Sequence, residues 1–110
     1  MRFLMLVCKD TEPVPPPAGP GRDVEEWVTT NDSAGRRITG DPIAPERESK
    51  VVRMREGELL VTDGPFLETK EVLAGFDLLE CKDMAEAIEV AAAHPMSDYG
   101  VLELRPVIEL

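Results

Sequence analysis

Three residues could move a proton in this chain if the fold gathers them: Asp63, Asp77 and His94. His94 is the single histidine, the one side chain whose unperturbed pKa lies near neutrality. Asp77 interrupts an apolar run, Gly75-Phe76-Asp77-Leu78-Leu79-Glu80-Cys81. A carboxylate buried there needs a cationic partner, and Arg105 and Arg53 are the candidates. Asp63 opens the run Asp63-Gly64-Pro65-Phe66-Leu67-Glu68-Thr69-Lys70-Glu71, in which an aromatic ring stands beside a dense acid–base cluster. Burial next to Phe66 would raise the Asp63 pKa toward that of a general acid or base. Glu68, Lys70 and Glu71 would line the mouth of the same pocket. Each residue also has a plainer role. Asp63 is equally a turn carboxylate accepting backbone N–H groups. Phe66 is a core or interface anchor, and the charges after it form solvated ion pairs worth little singly. Asp77 is a structural ion pair. A cationic His94 suits a helix C-terminus, and Asp98 and Tyr99 are its nearest possible partners in sequence. A lone histidine without carboxylates in register argues against a metal site, and no cofactor is expected.

The elements that must position these residues are legible from periodicity and punctuation. Residues 2–8 form a strand with no polar side, Phe3, Met5 and Val7 facing one way and Leu4, Leu6 and Cys8 the other; such a strand is buried on both faces. Residues 10–21 are a stiff Pro-rich loop rather than a PxxP docking ligand. Residues 22–34 are a weak helix with the stripe Val24, Trp27 and Val28, and Gly35 suits its end. Thr39-Gly40-Asp41-Pro42-Ile43 reads as a loop. Residues 49–55 and 58–62 make a hairpin across Glu56-Gly57, and 75–81 another strand. Residues 83–94 are the best helix, capped by Asp83 with Glu86, with Met84, Ile88 and Ala91 on its inner face and a stop at His94-Pro95. Residues 100–107 alternate, Leu102 and Leu104 inward, Glu103 and Arg105 outward. The order β-α-β-β-β-α-β predicts a single α+β domain over 1–110 of ferredoxin-like layout, an antiparallel sheet with two helices on one face. The other face stays bare yet apolar. A second copy stacked sheet to sheet, closing a dimeric α+β barrel, would cover it.

Composition excludes several classes of partner. The chain has 110 residues, with 22 Asp and Glu against 12 Lys and Arg, a formal charge of -10. Nucleic-acid and polybasic membrane surfaces need clustered cations instead. The apolar run after Arg2 is too short for a secretory signal, and none approaches a membrane span. Cys8 and Cys81 read as buried free thiols of a cytoplasmic protein.

The chain resembles the YCII-related family in its DGPF-type branch. The matching parts are the hydrophobic strand at Met1, the run Val61 to Glu71 with Gly75, and the tail with His94-Pro95, Tyr99-Gly100 and Glu103-Leu104-Arg105-Pro106-Val107. The resemblance implies a ferredoxin-like protomer in a homodimeric α+β barrel. For activity it implies two alternatives. One is a non-catalytic ligand-binding or regulatory module, often found alongside extracytoplasmic-function sigma factors. The other is an enzyme-like protein doing proton-transfer chemistry in a cleft where a His and an Asp meet. The family's His would fall on the first helix, where this chain has Val24, Glu25, Glu26 and Trp27; its Asp would precede the tail proline, where this chain has His94. That pair does not carry over.

Overall fold

The computed structural model describes residues 1–12, 14–65 and 71–110. Eight main elements follow in order: β1 (Arg2–Asp10), α1 (Val24–Ser33), β2 (Arg37–Pro42), β3 (Lys50–Arg55), β4 (Glu58–Asp63), β5 (Glu71–Glu80), α2 (Met84–Ala92) and β6 (Gly100–Pro106). One strand more is present than the sequence suggests. Thr39 to Pro42 of the expected loop are instead the end of β2, and Ile43 lies just past it. Pro42 is tolerated there because β2 lies at the sheet edge, where a missing ladder donor costs least.

Four strands form an antiparallel sheet in the order β2-β5-β1-β6, while β3 and β4 form a separate two-stranded ribbon. Without that ribbon the chain runs β-α-β-β-α-β, and the sheet order is that of a ferredoxin-like α+β fold. The hairpin at 49–62 is therefore an insertion rather than part of the main sheet. Glu56 and Gly57 both take positive φ at its tip, the geometry that a tight hairpin turn requires.

Registration explains which side chains meet the helices. On β1, Met5 lies opposite Asp77 of β5 and Leu104 of β6, and Phe3 opposite Leu79. Phe3, Met5, Val7 and Leu79 form the core with Trp27 of α1 and Ala87, Val90 and Ala91 of α2. Both helices thus pack on one sheet face. Leu4, Leu6, Cys8, Phe76 and Leu78 point to the other and are only half-buried, so β1 is less covered than its two apolar sides predict. Cys81 is buried as expected and Cys8 only half-buried, and the two form no disulfide with each other.

Helix α1 starts on Asp23, whose carboxylate accepts the Glu25 N–H at 2.9 Å. Trp27 is its buried anchor, whereas Val24 is exposed. Asp83 caps α2 as expected, accepting from the Glu86 N–H at 2.9 Å. The inner face of α2 matches expectation at Ala91 and differs at Met84 and Ile88. Ala87, Val90 and Ala91 are buried, while Ile88 and Met84 face outward. Small residues let the helix lie close over the core; a stripe chosen by side-chain size finds the wrong side. The inner face runs on from Val90 and Ala91 to His94, one helical repeat later.

Candidate functional site

A cavity of about 290 Å³ opens between α1 and the β2–β5 edge of the sheet, lined by apolar side chains that include Val7, Trp27 and Val28, and by Arg37, Asp77 and His94. Of the three candidate proton carriers, Asp77 and His94 share this cavity. Asp63 does not. It ends β4 opposite Lys50 on β3, its side chain 82% exposed and paired with the Lys50 ammonium. It is a solvated cross-strand ion pair, not a carboxyl buried at a barrel end. Phe66, Glu68 and Lys70 lie outside the described residues.

Asp77 is 6% exposed, and its partner is neither Arg105 nor Arg53. Arg105 bonds Glu103 at 2.7 Å on the opposite face, and Arg53 belongs to the hairpin. The Arg37 Nε donates to Asp77 Oδ1 at 2.7 Å, and a second guanidinium nitrogen donates to the Gly40 carbonyl at 3.0 Å. This geometry rests on a register shift in β2. Arg37 lies opposite Leu79, but Thr39 opposite Leu78 and Gly40 opposite Asp77. The extra residue, Ile38, flips the alternation, so that Arg37 and Gly40 both flank Asp77 on the helix side. Gly40 is also the seat of the carboxylate: a Cβ there would lie 2.2 Å from Asp77 Oδ1 and 2.6 Å from the Phe76 carbonyl oxygen.

Burial pushes the Asp77 pKa up, against the hydrogen bond and charge of Arg37; Asp32 and Asp41 push it further up. Burial works to lower the Arg37 pKa, but its hydrogen bonds to Asp77 and Asp32, and their charges, raise it overall. Arg37 is thus a permanent cation held between two carboxylates.

His94 is 5% exposed. Its Nδ1 accepts the Met96 backbone N–H at 3.0 Å, and its ring meets Trp27 edge-on at a centroid distance of 4.6 Å. Burial pushes the His94 pKa down, and the Arg22 charge adds to that. The ring is therefore neutral, with its proton on Nε2; the cationic helix-end role is not the one it fills. Asp98 is not its partner either. The Arg22 guanidinium takes both Asp98 oxygens, at 2.8 and 3.0 Å, and also donates to the Ala92 carbonyl and the Ser97 hydroxyl. This clamp ties the start of α1 to the turn that carries His94. Tyr99 is exposed.

Sequence reading missed Arg37, Gly40 and Arg22. Only Gly40 left a signal, since a glycine inside an extended stretch often marks a bulge or a close approach. Among the described residues no group of three or more His, Cys, Asp or Glu could hold a metal ion, and no helix is long and apolar enough to cross a membrane.

The model of the YCII-related domain family matches residues 1–110. The chain belongs to the YCII-related family. This YCII-related chain is also 39% identical over 69 residues to an uncharacterised protein of Rhizobium meliloti (strain 1021), a match covering 59% of the chain and 54% of the relative. The YCII-related chain therefore aligns with about half the length of that curated relative.

Proposed function

We propose that this protein binds a small, largely apolar molecule in the cavity between α1 and the sheet, reading its polar group with His94 and Asp77. The observation that carries this is His94 itself. A histidine 95% buried, as its 5% exposure implies, normally has both ring nitrogens satisfied. Here Nδ1 is bonded to Met96, and Nε2, on a residue that lines the cavity, has no protein acceptor among the described residues yet is not enclosed, Arg36 Nε being the one enclosed unpaired side-chain atom among them; it keeps accessible surface on which a guest can bond. The volume sits at the small end of the roughly 300–1,000 Å³ range of ligand pockets. A cavity that binds without turnover suits an accessory or regulatory module.

Thermal unfolding in the presence of small lactones, alcohols and amides tests this reading. True ligands raise the melting temperature by mass action. Val24→Phe, placed on the half-exposed cavity rim, should abolish those shifts without unfolding the chain. Shifts that persist in the filled variant would mean binding elsewhere and would sink the proposal.

One observation favours an enzyme-like second reading: burial moves both Asp77 and His94 toward their neutral forms, a pattern common in acid–base sites. Loss of turnover with retained ligand affinity in Asp77→Asn would support it; an Asp77→Asn variant as active as the parent would end it.

We also propose that two copies pair. The hairpin pairs Val52 with Val61 and Met54 with Leu59, so all four share one face, and each is more than half exposed. A two-stranded ribbon is marginal alone. The bare sheet face with Leu4, Leu6, Phe76 and Leu78 is the matching apolar surface within the same chain. Reciprocal packing of the two about a two-fold axis would cover both.

A further inference from the structure

We infer that the cavity selects an uncharged ligand, one that offers a hydrogen-bond acceptor to His94 Nε2–H and a donor to Asp77 Oδ2, as an amide, lactam or hydroxy-ketone on an apolar body does, and that it rejects carboxylates and phosphates. This inference rests on the reading of the cavity as a ligand site and adds its chemical class.

The first support is the donor. An imidazolium cannot accept a hydrogen bond. The Met96 N–H at 3.0 Å from Nδ1 therefore requires a neutral ring whose one proton is on Nε2. His94 presents a single uncharged donor. The second is the acceptor. Asp77 Oδ1 takes the Arg37 Nε proton, and among the described residues no donor reaches Oδ2. Oδ2 keeps accessible surface, since Arg36 Nε is the one enclosed unpaired side-chain atom among the described residues, and a ligand N–H or O–H would take the place of water there.

The third support concerns charge. Among the described residues Arg37 is the one Lys or Arg lining the cavity, and each of its three nitrogens already donates to an acceptor of the protein. Its Nε goes to Asp77, one terminal nitrogen goes to Asp32 at 3.0 Å and the other to the Gly40 carbonyl. One guanidinium thus stands against the carboxylates of Asp77, Asp32 and Asp41, and Asp41 itself lines the cavity. An anionic ligand would meet net negative charge in a site of low dielectric, where repulsion is weakly screened. A cation would have to displace or share Arg37 and would leave the His94 donor unused. The rest of the wall, including Val7, Val24, Trp27 and Val28, is apolar and favours a hydrocarbon body.

One ring with three heads makes the test. Cyclohexanecarboxamide, cyclohexanecarboxylate and cyclohexylamine are titrated calorimetrically into the full chain above pH 6.5, the ordinary His value. The carboxamide is expected to bind at least about tenfold more tightly than either charged analogue. His94→Leu should bring it down to their level. Should that variant not fold, His94→Asn, which keeps a neutral donor, should retain part of the preference. A cavity that prefers the carboxylate or the amine overturns the inference while leaving the ligand site standing. Failure of all three to bind, or binding indifferent to Val24→Phe, overturns the inference and the ligand site together.

Discussion

His94 cannot hold the Met96 N–H and carry a second ring proton at once, so acidification must break a hydrogen bond inside the protein. Its native pKa lies below the ordinary 6.5, because burial and then the Arg22 charge disfavour the cation. As pH falls through 6.5 the unfolded chain takes up the proton first, so stability declines with acidification. The His94 contribution is complete above 6.5 and is lost as pH falls through the lower native value. Asp77 works in the opposite sense. Its native pKa lies above 3.8, so the native state protonates first and regains stability between that value and 3.8. Urea unfolding at a series of pH values should show the parent weakening below 6.5 and His94→Asn following a flatter slope there; equal slopes would contradict the neutral assignment. Asp77 and His94 were both legible in the sequence as polar residues out of place. Their surroundings were not. Arg37 reaches Asp77 only because Ile38 is extruded from the β2 ladder, and a bulge leaves no mark in periodicity over so short a strand.

Helix α2 shows how an element is oriented by its small residues. Ala87 is fully buried and Ala91 nearly so, while Ile88 is 55% exposed. Truncating Val90 to Ala should cost about 2 kcal/mol by the usual cavity penalty, whereas Ile88→Ala, which removes more atoms, should stay within roughly 0.5 kcal/mol. Chemical denaturation of the two variants checks this, and a larger loss at Ile88 would reverse the assigned face. The existence of both helices, the cap of α2 and the hairpin turn could be read from the chain, since Asp83 and Gly57 act locally; the Asp23 cap of α1 was not read. The inner face of α2 could not, because apolar size and close approach rank its residues in opposite orders. The sheet order was equally out of reach: taking the β3–β4 hairpin as sheet strands supplies the right helix count with the wrong membership. That insertion hides the simple β-α-β-β-α-β order, and β2, short and ending in Pro42, offers no strand signal strong enough to restore it.

At the scale of the whole molecule, both apolar surfaces left open belong to one chain of net charge -10. Pairing therefore works against long-range repulsion and should strengthen as salt screens it. Light scattering is expected to give twice the 12.1 kDa chain mass, and Leu59→Glu with Val61→Glu should return it to one while leaving the far-ultraviolet circular dichroism unchanged. A parent that stays monomeric at high salt would end the proposal. The open sheet face was foreseeable from residues 2–8, which are apolar on both sides. The detached hairpin was not, because a cross-strand pattern says which residues share a face but not whether anything lies against it. The molecule has a single tryptophan, and it sits edge-on against His94 at the cavity wall. Excited at the red edge of the indole band, where the single tyrosine does not absorb, its fluorescence thus comes from one side chain. Emission would respond to a guest entering the cavity and to a charge appearing on the imidazole, so an unlabelled sample in a cuvette can follow both events, each on its own titration axis.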